Sequence, residues 1–182
     1  MLINKNPNSN ESDEHYELKC ISKYFLYSKG YNIIGTEVSM NSYDHYLSSY
    51  GFKCDKIVID CVGVKILDID NFNTMGIECK VSVGDFRMGF CCQNNYTYVI
   101  SPKGVINKNL VPDKIGLIEV DLKNYKIENR INKFIMSGIE IVKKCNRRNE
   151  NSEIGLFKIM KSIARRNTIV DIYKHGEIKI GK

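Results

Sequence analysis

Residues 76–86 read GIECKVSVGDF. The stretch places Glu78 and Lys80 inside a run that otherwise has the composition of a buried strand. Side chains alternate along a strand, so Glu78 and Lys80 share one face and Cys79 points to the other. Two opposite charges on a buried strand are costly to desolvate. A fold keeps such a pair more readily where it opens onto a cleft or a metal. The glycine after Val83 and the Asp85-Phe86 pair mark the turn from this strand into a short helix.

Working outward, the elements on either side alternate between the two periodicities. Upstream, Asp13 and Glu14 suit the first turn of a helix that begins near Ser12. Leu18, Ile21 and Phe25 recur at helical spacing and face the core. Lys29-Gly30 closes that helix. YNIIGTEVSM (31–40) predicts a strand, NSYDHYLSSYGF (41–52) a tyrosine-rich loop, and KCDKIVIDCVG (53–63) a second strand. VKILDID (64–70) reads as a further strand or the far arm of a hairpin, and NFNT (71–74) as a turn. Downstream, YTYVISP (96–102) and IGLIEVD (115–121) predict strands, SGIEIVKKC (137–145) a last strand, and SEIGLFKIMKSIARR (152–166) an amphipathic helix with Leu156, Phe157, Met160, Ile163 and Ala164 as its apolar stripe. This order describes an α/β fold, a central mixed β-sheet flanked by α-helices.

The chain has 182 residues, enough for one domain with a core that needs no disulfide or metal. Residues 1–12 read as a disordered lead-in, 13–142 as the domain, and 143–182 as a basic C-terminal segment packed on the same domain. The net charge is +6. Residues 143–182 alone carry +7, so the rest of the chain sums to −1. A local basic segment of this kind suits contact with phosphates. No apolar run approaches the ~18 residues that span a membrane, and the polar N-terminus lacks a signal-peptide core. Both point to the cytoplasm. The seven cysteines show no CxxC spacing, and His15, His45 and His175 do not cluster with them in sequence. Reduced, buried thiols are the expectation.

A strand carrying Asp55 precedes the Glu78 strand. Paired antiparallel, the two bring their carboxylates together. Hard divalent cations such as Mg²⁺ or Mn²⁺ take oxygen ligands; Asp55, Glu78 and the backbone carbonyl of Cys79 supply such a set. Lys80 beside a metal-bound water could orient or deprotonate the nucleophile, or stabilise charge on a phosphorane. The layout suits metal-assisted phosphodiester hydrolysis. An E-x-K by itself is commonly a surface pair. Here Glu17 on a helix, TEV at 36–38, CD at 54–55, ECKVSVGDF, YTYVISP and GLIEVD follow in one fixed order.

That order resembles the PD-(D/E)xK nuclease superfamily, and within it the MmcB-like DNA-repair branch, over roughly residues 14–166. The resemblance implies a restriction-endonuclease-like core acting on DNA. It makes Asp55 and Glu78 metal ligands, with the Cys79 carbonyl beside them, and Lys80 the catalytic lysine. Glu17 is then the helix carboxylate that completes the site. It implies further that Asp85 caps the helix after the strand and that Ser82 faces the cleft. The first part of the motif is reduced to Cys54-Asp55, without its proline. The long interval from Asp55 to Glu78 lets Asp60 compete for the ligand role, as Glu14 competes with Glu17 one helical turn away. Ser82, Arg87, Gln93 and the cluster Lys143, Lys144, Arg147 and Arg148 are the candidate contacts to DNA, and a homodimer stays open. Two rivals remain at this stage: a non-cutting nucleic-acid-binding protein of the same fold, and a virus-encoded protein-interaction factor directed against host defence.

Overall fold

The structure, a computed structural model, describes residues 11–40, 46–47, 57–68, 71–91, 94–130, 133–147, 156 and 159–163. Asp55, Gln93 and Arg148 lie outside the described residues, as does most of the tyrosine-rich stretch.

Helix α1 spans Asp13–Ser28. Ser12 caps it by accepting a hydrogen bond from the His15 N–H at 3.2 Å, with Asp13 and Glu14 in the first turn. It ends at Lys29, followed by Gly30 at φ 82°, a left-handed position that costs glycine little. Strands β1 (Ile33–Met40), β2 (Tyr46–Leu47), β3 (Ile57–Asp68) and β4 (Asn71–Cys79) follow, then helix α2 (Val83–Met88), β5 (Phe90–Cys91) and β6 (Tyr96–Pro102). A single 3-10 turn at Lys108–Leu110 leads to β7 (Gly116–Val120), β8 (Lys126–Arg130), β9 (Lys133–Ser137) and β10 (Ile139–Lys143). Residues 159–163 are helical.

Six strands form one mixed sheet in the order β1-β3-β4-β6-β7-β10. The β4–β6 and β6–β7 pairs are parallel; β1–β3, β3–β4 and β7–β10 are antiparallel. The expected α/β class, a mixed sheet flanked by helices, is what the structure shows. On one face Leu18, Ile21 and Phe25 of α1 pack with Ile77, Ile100 and Ile118. On the other, Val62 and Val64 meet Ile159 and Ile163, while Val99 and Leu117 meet Phe86 and Ile106. Among the described residues no helix is long and apolar enough to cross a membrane.

Two local expectations need correction. VKILDID is not a separate element: β3 runs unbroken from Ile57 to Asp68. NFNT is not a turn but the start of β4, where Phe72 pairs with Ile66 and Thr74 with Val64. The Thr74 N–H and hydroxyl both reach the buried Asn95 side chain, so tertiary contacts override the turn propensity of the two asparagines.

Gly116 sits directly beside Tyr98 in the parallel register. A Cβ there would lie 2.2 Å from a ring carbon of Tyr98, which is buried, and 3.0 Å from the Cys145 nitrogen. Gly116→Ala should therefore lower stability by about 1–3 kcal/mol through overpacking, read as a fall in the urea midpoint with an unchanged slope.

Candidate active site

The β3–β4 ladder stops at the pair Cys61 and Ile77. The next inward-facing donor of β4, the Cys79 N–H, is taken at 2.8 Å by Oδ2 of Asp60. The Lys80 N–H on the other side still bonds the Ile100 carbonyl at 2.9 Å. A carboxylate thus occupies a ladder position, and beyond it the two strands part. Ile59 and Cys61 are two residues apart, yet they pack in cores on opposite faces of the sheet. The strand turns over at Asp60. In β1 the matching turnover is at Glu37, which holds φ at 50°, a left-handed conformation that costs a non-glycine residue on the order of 1 kcal/mol.

Past this splay lies an open cleft of about 500 Å³, lined by His15 and Lys19 from α1, Glu37 from β1, Asp60 from β3, and Val81 and Asp85 after β4. Its charged groups are interlocked. Lys19 Nζ is 2.6 Å from Glu11 and donates to Glu37 at 3.0 Å. His15 Nδ1 faces Glu11, and its Nε2 is 3.5 Å from Asp60 Oδ2. Lys80 Nζ reaches Asp85 Oδ1 at 3.4 Å, and the other oxygen of Asp85 accepts from the Val81 N–H. Burial disfavours the His15 cation, but the carboxylates of Asp60 and Glu11 outweigh it and lift the imidazole pKa to about 9. Burial also works against the charge on Asp60. His15, the Cys79 N–H and Lys19 overcome it and hold Asp60 below the usual carboxylate range. Lys19 is raised in the same way by Glu11 and Glu37 against its own burial.

Asp60, the alternative to Asp55, lies on the cleft. Glu78 is only 4% exposed; it stands beside Val99 in the register, on the face away from α1, and does not line the cleft. Lys80 is 8% exposed and sits one residue past the end of β4. Cys79 is fully buried on the α1 face, where burial pushes its thiol up and Ser22 Oγ lies 3.9 Å away. Cys20, Cys61 and Cys79 are free, buried thiols, as expected.

Several expected roles fall elsewhere. Glu17 does not line this cleft: its carboxylate accepts from the Tyr125 hydroxyl at 2.7 Å. Because α1 turns about 100° per residue, residues 15 and 19 share the cleft side and 17 does not. Glu14 is exposed. The capping roles after β4 are exchanged. Ser82 is the N-cap of α2 and accepts from the Asp85 N–H at 3.0 Å, whereas Asp85 reaches back to Val81 and Lys80. Arg87 is exposed on α2. Lys143 is committed to the Val111 carbonyl at 2.5 Å and to Asp113. Lys144 and Arg147 are exposed. Because β10 runs antiparallel to β7 and Lys143 pairs with Leu117, this basic segment leaves from the end of the sheet opposite the cleft.

Reading the sequence missed His15, Lys19, Glu11 and Glu37. The i, i+4 placement of His15 and Lys19 was visible. So was Glu37 within TEV, but nothing in one dimension assigned it a role. His15 also lies next to a cysteine in space, 64 positions from it in the chain.

No family model and no curated protein matches the chain. One solved structure, the SPO1766 protein of unknown function from Silicibacter pomeroyi, is similar at 16% identity with a TM-score of 0.43, covering 87% of this chain and 94% of its own.

Two outcomes follow from this geometry. His15 binds its proton more tightly in the folded state, so its contribution is complete below pH 6.5 and is lost as pH rises through about 9. Asp60 acts in the opposite sense, and its contribution is lost as pH falls below the ordinary carboxylate value of 3.8. In denaturant titrations across pH, His15→Gln should flatten the decline between 6.5 and 9, a difference on the order of 2 kcal/mol after allowance for solvent screening. Tyr125→Phe should cost about 1 kcal/mol of stability and leave any chemistry in the cleft untouched, because Glu17 faces away from it.

Proposed function

We propose that the protein is a divalent-metal-dependent nuclease that hydrolyses phosphodiester bonds in DNA, in repair or processing. One observation carries this reading. The Asp60 carboxylate rests against the Glu78–Cys79 peptide at the mouth of an open cleft that Asp85 also lines, and Asp85 holds the ammonium of Lys80.

The residues present fit a dication in charge. Glu11, Glu37, Asp60 and Asp85 border the cleft against Lys19 and a protonated His15, and a phosphate would be repelled from so acidic a surface without added positive charge. They fit the all-oxygen preference of Mg²⁺ less well, because imidazole and thiol groups are the nearest neighbours of Asp60. Mn²⁺, which accepts nitrogen as well as oxygen, is therefore the better candidate. Asp60, which lines the cleft as Glu78 does not, would hold it. Bound there, such an ion polarises a phosphate and lowers the pKa of water.

The remaining work falls to the chain itself. Lys80 follows the strand directly and its ammonium is held by Asp85, which lines the cleft; from there it could stabilise negative charge developing on phosphorus. The Lys19 bridge to Glu11 and Glu37 fixes the α1 wall. Lys144 and Arg147 would meet DNA only beyond the cleft, on the flanking strand.

A second reading, a non-cutting DNA-binding protein of this fold, is favoured by one feature. Glu78 lies off the cleft wall, and a cationic His15 already neutralises Asp60.

Cleavage of linear, branched and single-stranded DNA with Mn²⁺ or Mg²⁺ separates the two. Asp60→Asn and Lys80→Ala should each lower the rate by about 100-fold or more. Wild type and Lys80→Ala equally inert on every substrate, with DNA binding that weakens as salt rises, would establish the second reading.

A further inference from the structure

We propose that His15, Asp60 and Cys79 form a binding site for a thiophilic transition-metal ion of the zinc and cobalt class. This does not rest on the nuclease reading, although the two share Asp60. The three side chains offer a ring nitrogen, a carboxylate oxygen and a sulfur atom that all lie within 4.8 Å of one another. Such a mixed donor set selects zinc-like ions and disfavours magnesium.

The separations suit an ion better than they suit direct hydrogen bonds. The gap of 3.5 Å between His15 Nε2 and Asp60 Oδ2 exceeds a good N–H to oxygen contact. Two ligands held about 2.0–2.1 Å from one tetrahedral centre stand about 3.3–3.4 Å apart. Only a small movement would bring them onto a common ion, with the longer sulfur bond accommodating Cys79.

A second, independent feature is the outer layer. A metal-binding histidine characteristically gives its other ring N–H to a carboxylate, and Glu11 lies against His15 Nδ1. Asp60 is oriented by the Cys79 N–H, and the Cys79 sulfur has Ser22 as its neighbour. Each of the three donors therefore already has a group that fixes its direction. The fourth position of a tetrahedron would open to the cleft, available to water or a ligand. On binding, His15 and the Cys79 thiol each release their proton to solvent, and no electrons are exchanged.

The test is a titration of Co²⁺ into the full chain under a non-thiol reductant, followed by absorption and calorimetry. One ion should bind, with the visible bands of tetrahedral Co²⁺ and a near-ultraviolet thiolate charge-transfer band. Cys79→Ser should abolish the charge-transfer band. Glu11→Gln keeps every ligand and should weaken Co²⁺ binding by about 10-fold or more, with the metal-free melting temperature serving as the folding control. Binding without a charge-transfer band, or a band that survives in Cys79→Ser, overturns the proposal. So does unchanged affinity in a folded Glu11→Gln. DNA cleavage with Mn²⁺ is measured on the same samples. Cleavage without the cobalt bands retains the nuclease and removes this site; the bands without cleavage do the reverse.

Discussion

The hydrogen bond from the Cys79 N–H to the Asp60 carboxylate is the constraint from which the rest of the molecule's end follows. A sheet edge that stops pairing leaves backbone donors with nowhere to go. Here a side chain takes over at the point where the ladder ends. That substitution lets β3 and β4 separate without leaving an orphaned N–H, and the separation makes the cleft. It also holds Asp60 at the mouth, where the helix can reach it.

Charge then holds the opening in shape. Lys19 and Asp60 are largely buried, and neither would stay ionised there alone. They do so because Glu37 and Glu11 face the lysine and His15 faces the aspartate, so each charge compensates the cost of the next. Glu37 is held in a left-handed conformation within this chain of contacts, and that strain persists because the lysine bridge fixes it. The arrangement is better understood as specifying one geometry than as adding stability, since buried ion pairs seldom outperform an apolar replacement.

The two periodicities of the chain made most of the architecture legible. Leu18, Ile21 and Phe25 announced the inner face of α1, and the apolar runs around residues 57, 77, 98 and 117 announced the sheet. Where the reading failed, contacts distant in sequence decided the outcome. The stretch 71–74 looks like a turn until Phe72 is placed beside Ile66 and Thr74 against Asn95. The candidate site was legible in part. Asp60, Glu78, Lys80 and Asp85 could be singled out from a single stretch and its upstream strand. Which helix carboxylate belonged to it could not, because Glu17 turns toward Tyr125 only when the β7–β8 connection packs beneath α1. The neighbourhood of His15 and Cys79 was invisible for the same reason: it exists only after the helix lies across the sheet.

The mixed sheet also bears on the order in which the molecule assembles. Its β3–β4 hairpin joins segments that are neighbours in the chain. The parallel pairs of β4 with β6 and β6 with β7 must close longer loops before they gain anything. During synthesis from the N-terminus, α1 can therefore settle on β1, β3 and β4 while the outer side of β4 still waits for β6. For that interval β4, which the finished fold buries along most of its length, is an unpaired border strand open to the wrong partner. The strand that carries the candidate chemistry is thus also the one most exposed to misassembly until Tyr96–Pro102 arrives to cover it.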